Sequence, residues 1–130
     1  MKIFTNNLQL IFKLSNICLI ILYLYPGSIL GFLLYNDLNR QPQITGDFFD
    51  ISSNHIYTFS LISILGLFAF KTKKRLFVYL VCLSIVLELF HLIIPNRSFQ
   101  IGDLNGNLLG VIITFLIYKV YEILFQTKKE

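Results

Sequence analysis

Four long apolar segments dominate this chain and restrict the folds open to it. They cover about residues 8–25, 51–70, 76–94 and 104–125 and have 18 to 22 residues each. An α-helix needs about 20 residues to cross the roughly 30 Å hydrocarbon core of a bilayer. Pro26 and Gly27 interrupt the first segment, which either ends or bends there or continues to residue 35. The segments predict an all-α integral membrane bundle of four transmembrane helices.

Composition supports this prediction and excludes other classes of protein. The 130 residues are 55% hydrophobic and 14% charged, with a mean hydropathy of +0.70, which is more apolar surface than a soluble domain of this size buries. The net charge of +4 comes from residues flanking the apolar segments, a pattern of membrane anchoring. We therefore expect one domain over residues 1–130, with the lipid bilayer as its main partner, no nucleic acid and no cofactor.

Basic residues predict how the bundle is oriented. Nine of the 11 lie near the start of the first segment, between the second and third segments, or towards the end of the chain: Lys2, Lys13, Lys71, Lys73, Lys74, Arg75, Lys119, Lys128 and Lys129. Short cytoplasmic loops carry such residues in excess. Both termini should therefore be cytoplasmic, and the first and third loops should be external.

Polar residues inside the apolar segments gather at the external end. His55 lies about one turn into the second segment, Glu88 and His91 near the end of the third, and Asn107 near the start of the fourth. At 1.5 Å per residue, they lie within about 10 Å of one membrane boundary. A charged side chain at the membrane centre costs roughly 2.5 to 3.5 kcal/mol, so such residues usually mark a site. The candidate catalytic residues are Glu88, His91 and Asp103, and the candidate binding residues are His55, Arg97, Asn107 and Gly110.

A purely structural role for these residues is the alternative. Glu88 would then pair with Arg97 or His91 to make its burial tolerable, and Asp103 would cap the fourth helix. Glu88-x-x-His91 also resembles half of the Glu-x-x-His pair of di-metal bundles, with His55 and Asp103 as further ligands. Because only one such pair is present, we predict no metal site.

The same region resembles the C-terminal signature of the VanZ-like membrane family. The resemblance rests on Glu88, then Pro95-Asn96-Arg97-Ser98-Phe99, then Asp103-x-x-x-Asn107-x-x-Gly110. His55 fills the place of a histidine at the start of an earlier helix in that family. His91 stands where family members usually have Gln, and the Asp-Lys pair that usually precedes the histidine is absent.

The resemblance implies a role in the bacterial cell envelope. The family is named for a protein associated with teicoplanin resistance, and the expected location is the cytoplasmic membrane, with several spans and the site facing outside. A binding protein would hold a glycopeptide, a lipid-linked sugar or a polyprenyl phosphate. The alternative is a hydrolase or transferase acting on such a lipid-linked substrate, with Glu88 or His91 as general base. An ion-conducting oligomer ranks last, because the cytoplasmic half carries few polar residues.

Overall fold

A computed structural model describes residues 2–126 of the chain, with side chains from residue 5 to residue 125. Lys128 and Lys129, which contributed to the predicted cytoplasmic C-terminus, lie outside the described residues. Within this part of the chain there are five α-helices and no β-strand. They are α1 (Lys2–Leu24), α2 (Ile29–Tyr35), α3 (Ser53–Ala69), α4 (Lys73–Phe90) and α5 (Ile101–Gln126). The predicted all-α class is confirmed.

The first apolar segment is split into α1 and α2. Tyr25 precedes a proline, which disfavours helical backbone, and Gly27 has a φ of +123°, which glycine adopts without strain. Ser28 then caps α2 by accepting a hydrogen bond from Gly31 N at 2.9 Å. The helix therefore stops at the proline, and residues 29–35 form a separate helix of seven residues, too short to cross a membrane.

The ends of α4 and α5 differ from the predicted bounds. α4 ends at Phe90 instead of residue 94, and α5 begins at Ile101 instead of residue 104. Gln100 supplies the reason: its carbonyl accepts hydrogen bonds from Asp103 N and Leu104 N, and its own N–H donates to Glu88 Oε1 at 3.0 Å. Gln100 thus occupies the cap position of α5. Asp103 lies inside the first turn, so the cap role considered for it was wrong.

α3 lies at the centre of the bundle and contacts α1, α4 and α5. Its closest approach is to α5, where glycines face its backbone. A Cβ added at Gly106 would lie 2.6 Å from Ser52 O, and one added at Gly110 would lie 2.5 Å from Ile56 O. Small residues at four-residue spacing let two helices approach this closely. Side chains of the core are buried between the helices, among them Phe59, Leu80, Leu87 and Val111.

Two of the described helices are long and apolar enough to cross a membrane, over Thr5–Leu24 and Ile101–Phe125. Only 17% of each apolar window is buried within the protein, and large apolar side chains such as Leu14 and Ile117 are exposed. α3 is apolar but has 17 residues, and α4 begins with basic residues. The helices therefore fit a membrane protein. Of the four predicted spans, those in α1 and α5 meet the criteria of length and composition, and those in α3 and α4 do not.

Candidate functional site

Six polar side chains meet where α1 ends, α3 begins, α4 ends and α5 begins. We call them the polar cluster: Tyr23, His55, Glu88, His91, Asp103 and Asn107. This end of the bundle is opposite the connection of residues 70–72 between α3 and α4 and the basic first turn of α4. Five of the six are sequence-predicted site residues, and the structure brings them into one contiguous group.

His55 links α3 to α5 through both of its ring nitrogens. Its Nε2 lies 3.6 Å from Asp103 Oδ2, with 14% of the His55 side chain and 19% of the Asp103 side chain exposed. Its Nδ1 lies 2.9 Å from Asn107 Oδ1. Ser52, the residue before α3, also hydrogen-bonds to the Asp103 carboxylate. The imidazole is therefore held in place by a carboxylate on one side and an amide on the other.

Asn107 is fully buried and completes a triangle with Tyr23 and His55. The Tyr23 hydroxyl donates a hydrogen bond to Asn107 Oδ1 at 2.7 Å and lies 3.0 Å from His55 Nδ1. Asn107 was predicted to touch a ligand. Its amide oxygen faces two neighbours within the protein, a geometry suited to orienting His55.

Glu88 is fully buried, and its two oxygens differ in their surroundings. Oε1 accepts from Gln100 N and lies 3.3 Å from His91 Nδ1, whereas Oε2 has no hydrogen-bond partner among the described residues. His91 Nε2 faces the backbone oxygen of Tyr23 at 3.0 Å, and its ring stacks on the Tyr23 ring. Both His91 nitrogens thus face oxygen acceptors, the arrangement that a protonated imidazole satisfies.

Arg97 holds the end of α1. Its guanidinium donates to the backbone oxygens of Leu22, Tyr25 and Gly27 at 2.6 to 3.2 Å. These carbonyls lie at the helix C-terminus, where a cation is favourable. Burial lowers the pKa of Arg97 from its usual value, although a guanidinium keeps its charge at neutral pH. Of the two partners considered for Glu88, His91 is the one that contacts its carboxylate. Arg97 instead binds the backbone oxygens at the end of α1.

Gly110, predicted as a binding residue, lies at the crossing of α3 and α5. Its carbonyl accepts hydrogen bonds from Ser60 Oγ and Thr114 Oγ1, and a Cβ at this position would meet the α3 backbone. The structure thus places Gly110 between helices, one turn beyond Asn107 and away from the group of ionisable side chains.

An open cavity of about 370 Å³ adjoins the polar cluster. Its wall is mostly apolar, with Leu19, Leu22 and Leu34 among the lining residues, and His55 and Arg97 are among the polar residues that line it. A smaller polar cavity of about 120 Å³ shares His91 and Arg97 with it and extends to Asp103. The two cavities offer an apolar compartment beside a polar one.

Tyr23 was missed by reasoning from the sequence. It follows Phe12, Asn16 and Leu19 at intervals of three and four residues, and these three are buried. The spacing marks one face of α1, and this face includes Asn16, a polar residue that is buried. That stripe could have indicated Tyr23 as the residue of α1 that reaches the site.

Three side chains of the cluster can also offer oxygen or nitrogen ligands to one metal ion. One ligand atom from each of His55, Glu88 and Asp103 lies within 4.8 Å of the others. His91 is not in this group; its ring nitrogens face Glu88 Oε1 and the backbone oxygen of Tyr23.

Comparison with known proteins agrees with the resemblance in the signature region. The sequence pattern that defines the family described as VanZ/LLP1 matches residues 2–125. The chain belongs to the VanZ/LLP1 family. No curated protein and no solved structure gives a significant match. Membership of VanZ/LLP1 and the long apolar helices together fit a membrane protein.

Proposed function

We propose that this VanZ/LLP1 protein is a multi-pass protein of the bacterial cytoplasmic membrane that binds an anionic, lipid-linked ligand of the cell envelope. The cavity carries this proposal. A polyprenyl phosphate or a lipid-linked sugar has an apolar chain and a polar head, and the two adjoining cavities have matching characters. Ligand sites are typically apolar clefts with a few convergent polar groups.

The position of the apolar cavity favours a lipid-linked ligand over a soluble glycopeptide. Leu19, Leu22 and Leu34 line it between α1 and α2, where a prenyl chain can enter from the bilayer. Arg97 lines both cavities, and the positive charge of its guanidinium attracts a phosphate. The polar cavity beyond it provides space for a headgroup. We therefore rank polyprenyl phosphate first among the candidate ligands.

A binding experiment on the purified protein in lipid nanodiscs tests this function. The probes are a polyprenyl phosphate and the uncharged polyprenol of the same length, both measured by native mass spectrometry. Leu34→Trp should fill the apolar cavity and weaken phosphate binding at least tenfold. Leu33→Trp is the matched control, because Leu33 is an exposed neighbour on the same helix that does not line the cavity.

Two results would contradict the proposal. One is equal binding of the phosphate by the wild type, Leu34→Trp and Leu33→Trp. The other is equal binding of the phosphate and the polyprenol, because the charge of Arg97 would then have no role. Arg97→Gln should reduce binding of the phosphate and leave the weaker binding of the polyprenol unchanged.

The proposed topology places the polar cluster on the outside of the cell. A cysteine introduced at Ser98, beside the cluster, should react with an impermeant reagent in intact cells. A cysteine introduced at Thr72, in the connection between α3 and α4, should react only after permeabilisation. Cys18 and Cys82 are exposed on the protein and must first be replaced. The reverse labelling pattern would overturn the orientation.

A membrane-embedded hydrolase or transferase is the second candidate, favoured by the contact between Glu88 and His91 at 3.3 Å. Since both nitrogens of His91 face acceptors, the group able to take a proton is the carboxylate of Glu88, through Oε2. Turnover of a lipid-linked substrate that disappears in Glu88→Gln would support an enzyme. Binding without turnover would support the binding protein.

A further inference from the structure

We propose that His55, Glu88 and Asp103 form a binding site for one divalent transition-metal ion. Single ligands come from α3, α4 and α5, so the ion would join the three helices at the external end of the bundle. This inference differs from the sequence-based expectation of no metal. It also does not depend on the lipid-linked ligand proposed above.

The spacing of the ligand atoms suits a small divalent ion. Metal–nitrogen and metal–oxygen distances of about 2.0 to 2.2 Å with tetrahedral angles place two ligand atoms about 3.4 Å apart. His55 Nε2 and Asp103 Oδ2 are separated by 3.6 Å, and all three ligand atoms lie within 4.8 Å of one another. Shifts of an ångström or less in the side chains would complete the site.

Glu88 provides a second, independent observation. Its side chain is fully buried, yet Oε2 lacks a hydrogen-bond partner in the described part of the chain. A buried charged oxygen without a partner is costly, and native proteins seldom leave one unsatisfied. A cation bound beside His55 and Asp103 would satisfy it.

The neighbours of the three ligands resemble the supporting contacts of known metal sites. A metal-bound histidine usually donates its second N–H to an oxygen acceptor, which orients the ring. With the Asn107 amide oriented as it is, His55 Nδ1 donates to Asn107 Oδ1 at 2.9 Å. In the neutral ring, Nε2 then presents a lone pair towards the Asp103 carboxylate. In that state two electron-rich groups face each other, and a cation between them converts repulsion into attraction.

The ligand set indicates which ion binds. One imidazole and two carboxylates favour Zn²⁺ or Mn²⁺ over Mg²⁺ and Ca²⁺, which prefer oxygen ligands alone. Three protein ligands also leave coordination positions open. His55 and Asp103 both line cavities, so the open positions are accessible from outside the bundle.

Metal titration of the untagged protein in nanodiscs tests the site. The protein is stripped with a chelator and then titrated separately with Zn²⁺, Mn²⁺, Co²⁺ and Mg²⁺, with bound metal measured by mass spectrometry and Co²⁺ ligation by absorption spectroscopy. We expect one ion per chain, binding of Zn²⁺ and Mn²⁺ at least tenfold tighter than Mg²⁺, and a Co²⁺ spectrum typical of nitrogen and oxygen ligands.

Substitutions then assign the ion to these residues. Asp103→Asn and His55→Gln should each weaken Zn²⁺ binding at least 100-fold. Asp50→Asn is the matched control, because Asp50 is an exposed carboxylate at the same end of the protein and outside the group of three. Circular dichroism of the stripped proteins verifies that each variant is folded, and a variant that fails this check is replaced by Asp103→Ser.

Either of two results would overturn the proposal. Equal Zn²⁺ binding by the wild type, Asp103→Asn and His55→Gln would show that the metal binds elsewhere. Absence of metal binding by the wild type would refute the site, and a protonated His55 ring in nitrogen NMR spectra would then show that a proton supplies the positive charge. With polyprenyl phosphate binding measured in the presence of a chelator, and metal binding measured in nanodiscs that contain no polyprenyl phosphate, failure of one proposal is distinguishable from failure of the other.

Discussion

Gly110→Ala is the substitution for which the structure gives the clearest magnitude. The added Cβ would lie 2.5 Å from Ile56 O, and ordinary van der Waals contact begins at 3.4 Å, a shortfall of about 0.9 Å. The obstructing atom belongs to the α3 backbone and cannot rotate away as a side chain can. The two helices must therefore separate at this crossing.

Two effects of opposite sign decide the outcome for Gly110→Ala. Overpacking a close contact typically costs about 1 to 3 kcal/mol. Alanine regains up to about 1 kcal/mol because it favours helical backbone more than glycine does. Since the overlap is with backbone, we expect the upper part of the first range and a net loss of about 1 to 2 kcal/mol. A loss of 2 kcal/mol corresponds to about a thirtyfold change in the folding equilibrium.

Reversible unfolding in mixed micelles, followed by circular dichroism, measures this loss of stability. The chain has no Trp, so helix content is a better signal than fluorescence. Gly46→Ala is the control, because a Cβ at Gly46 has no neighbour within 4 Å. If Gly110→Ala is as stable as the wild type or more stable, the close approach of α3 and α5 is refuted.

Three further substitutions test individual contacts. Arg97→Lys should lower stability by about 1 kcal/mol in the same unfolding assay, because a lysine cannot reproduce the fork of donors at the end of α1; unchanged stability would refute this. Tyr23→Phe should cost a similar amount by removing one buried hydrogen bond, whereas Tyr25→Phe, an exposed neighbour, should cost nothing. Ser28→Ala removes the cap of α2, so amide hydrogen exchange of residues 29–35 should accelerate several-fold while global unfolding stays unchanged.

Much of the architecture could be predicted from segment length and periodicity. Three of the four predicted segments correspond to α3, α4 and α5 within a few residues at each end. The first was predicted with an interruption at Pro26, and the backbone of a proline and a following glycine explains the split into α1 and α2. The first residue of α5 was harder to predict from the sequence. Its cap residue, Gln100, is held by a hydrogen bond to Glu88, which belongs to another helix.

The sequence determined the level of each polar residue along the axis of the bundle, because a helix rises a nearly constant 1.5 Å per residue. That constant rise is why the positions of His55, Glu88 and Asn107 along the chain predict one shared level. Their partners were decided only by tertiary structure. Rotation of each helix about its axis and the choice of side-chain rotamer set which groups meet, and both depend on packing between helices. Packing directed Arg97 to the carbonyls of α1, paired Glu88 with His91, and brought Tyr23 into the polar cluster.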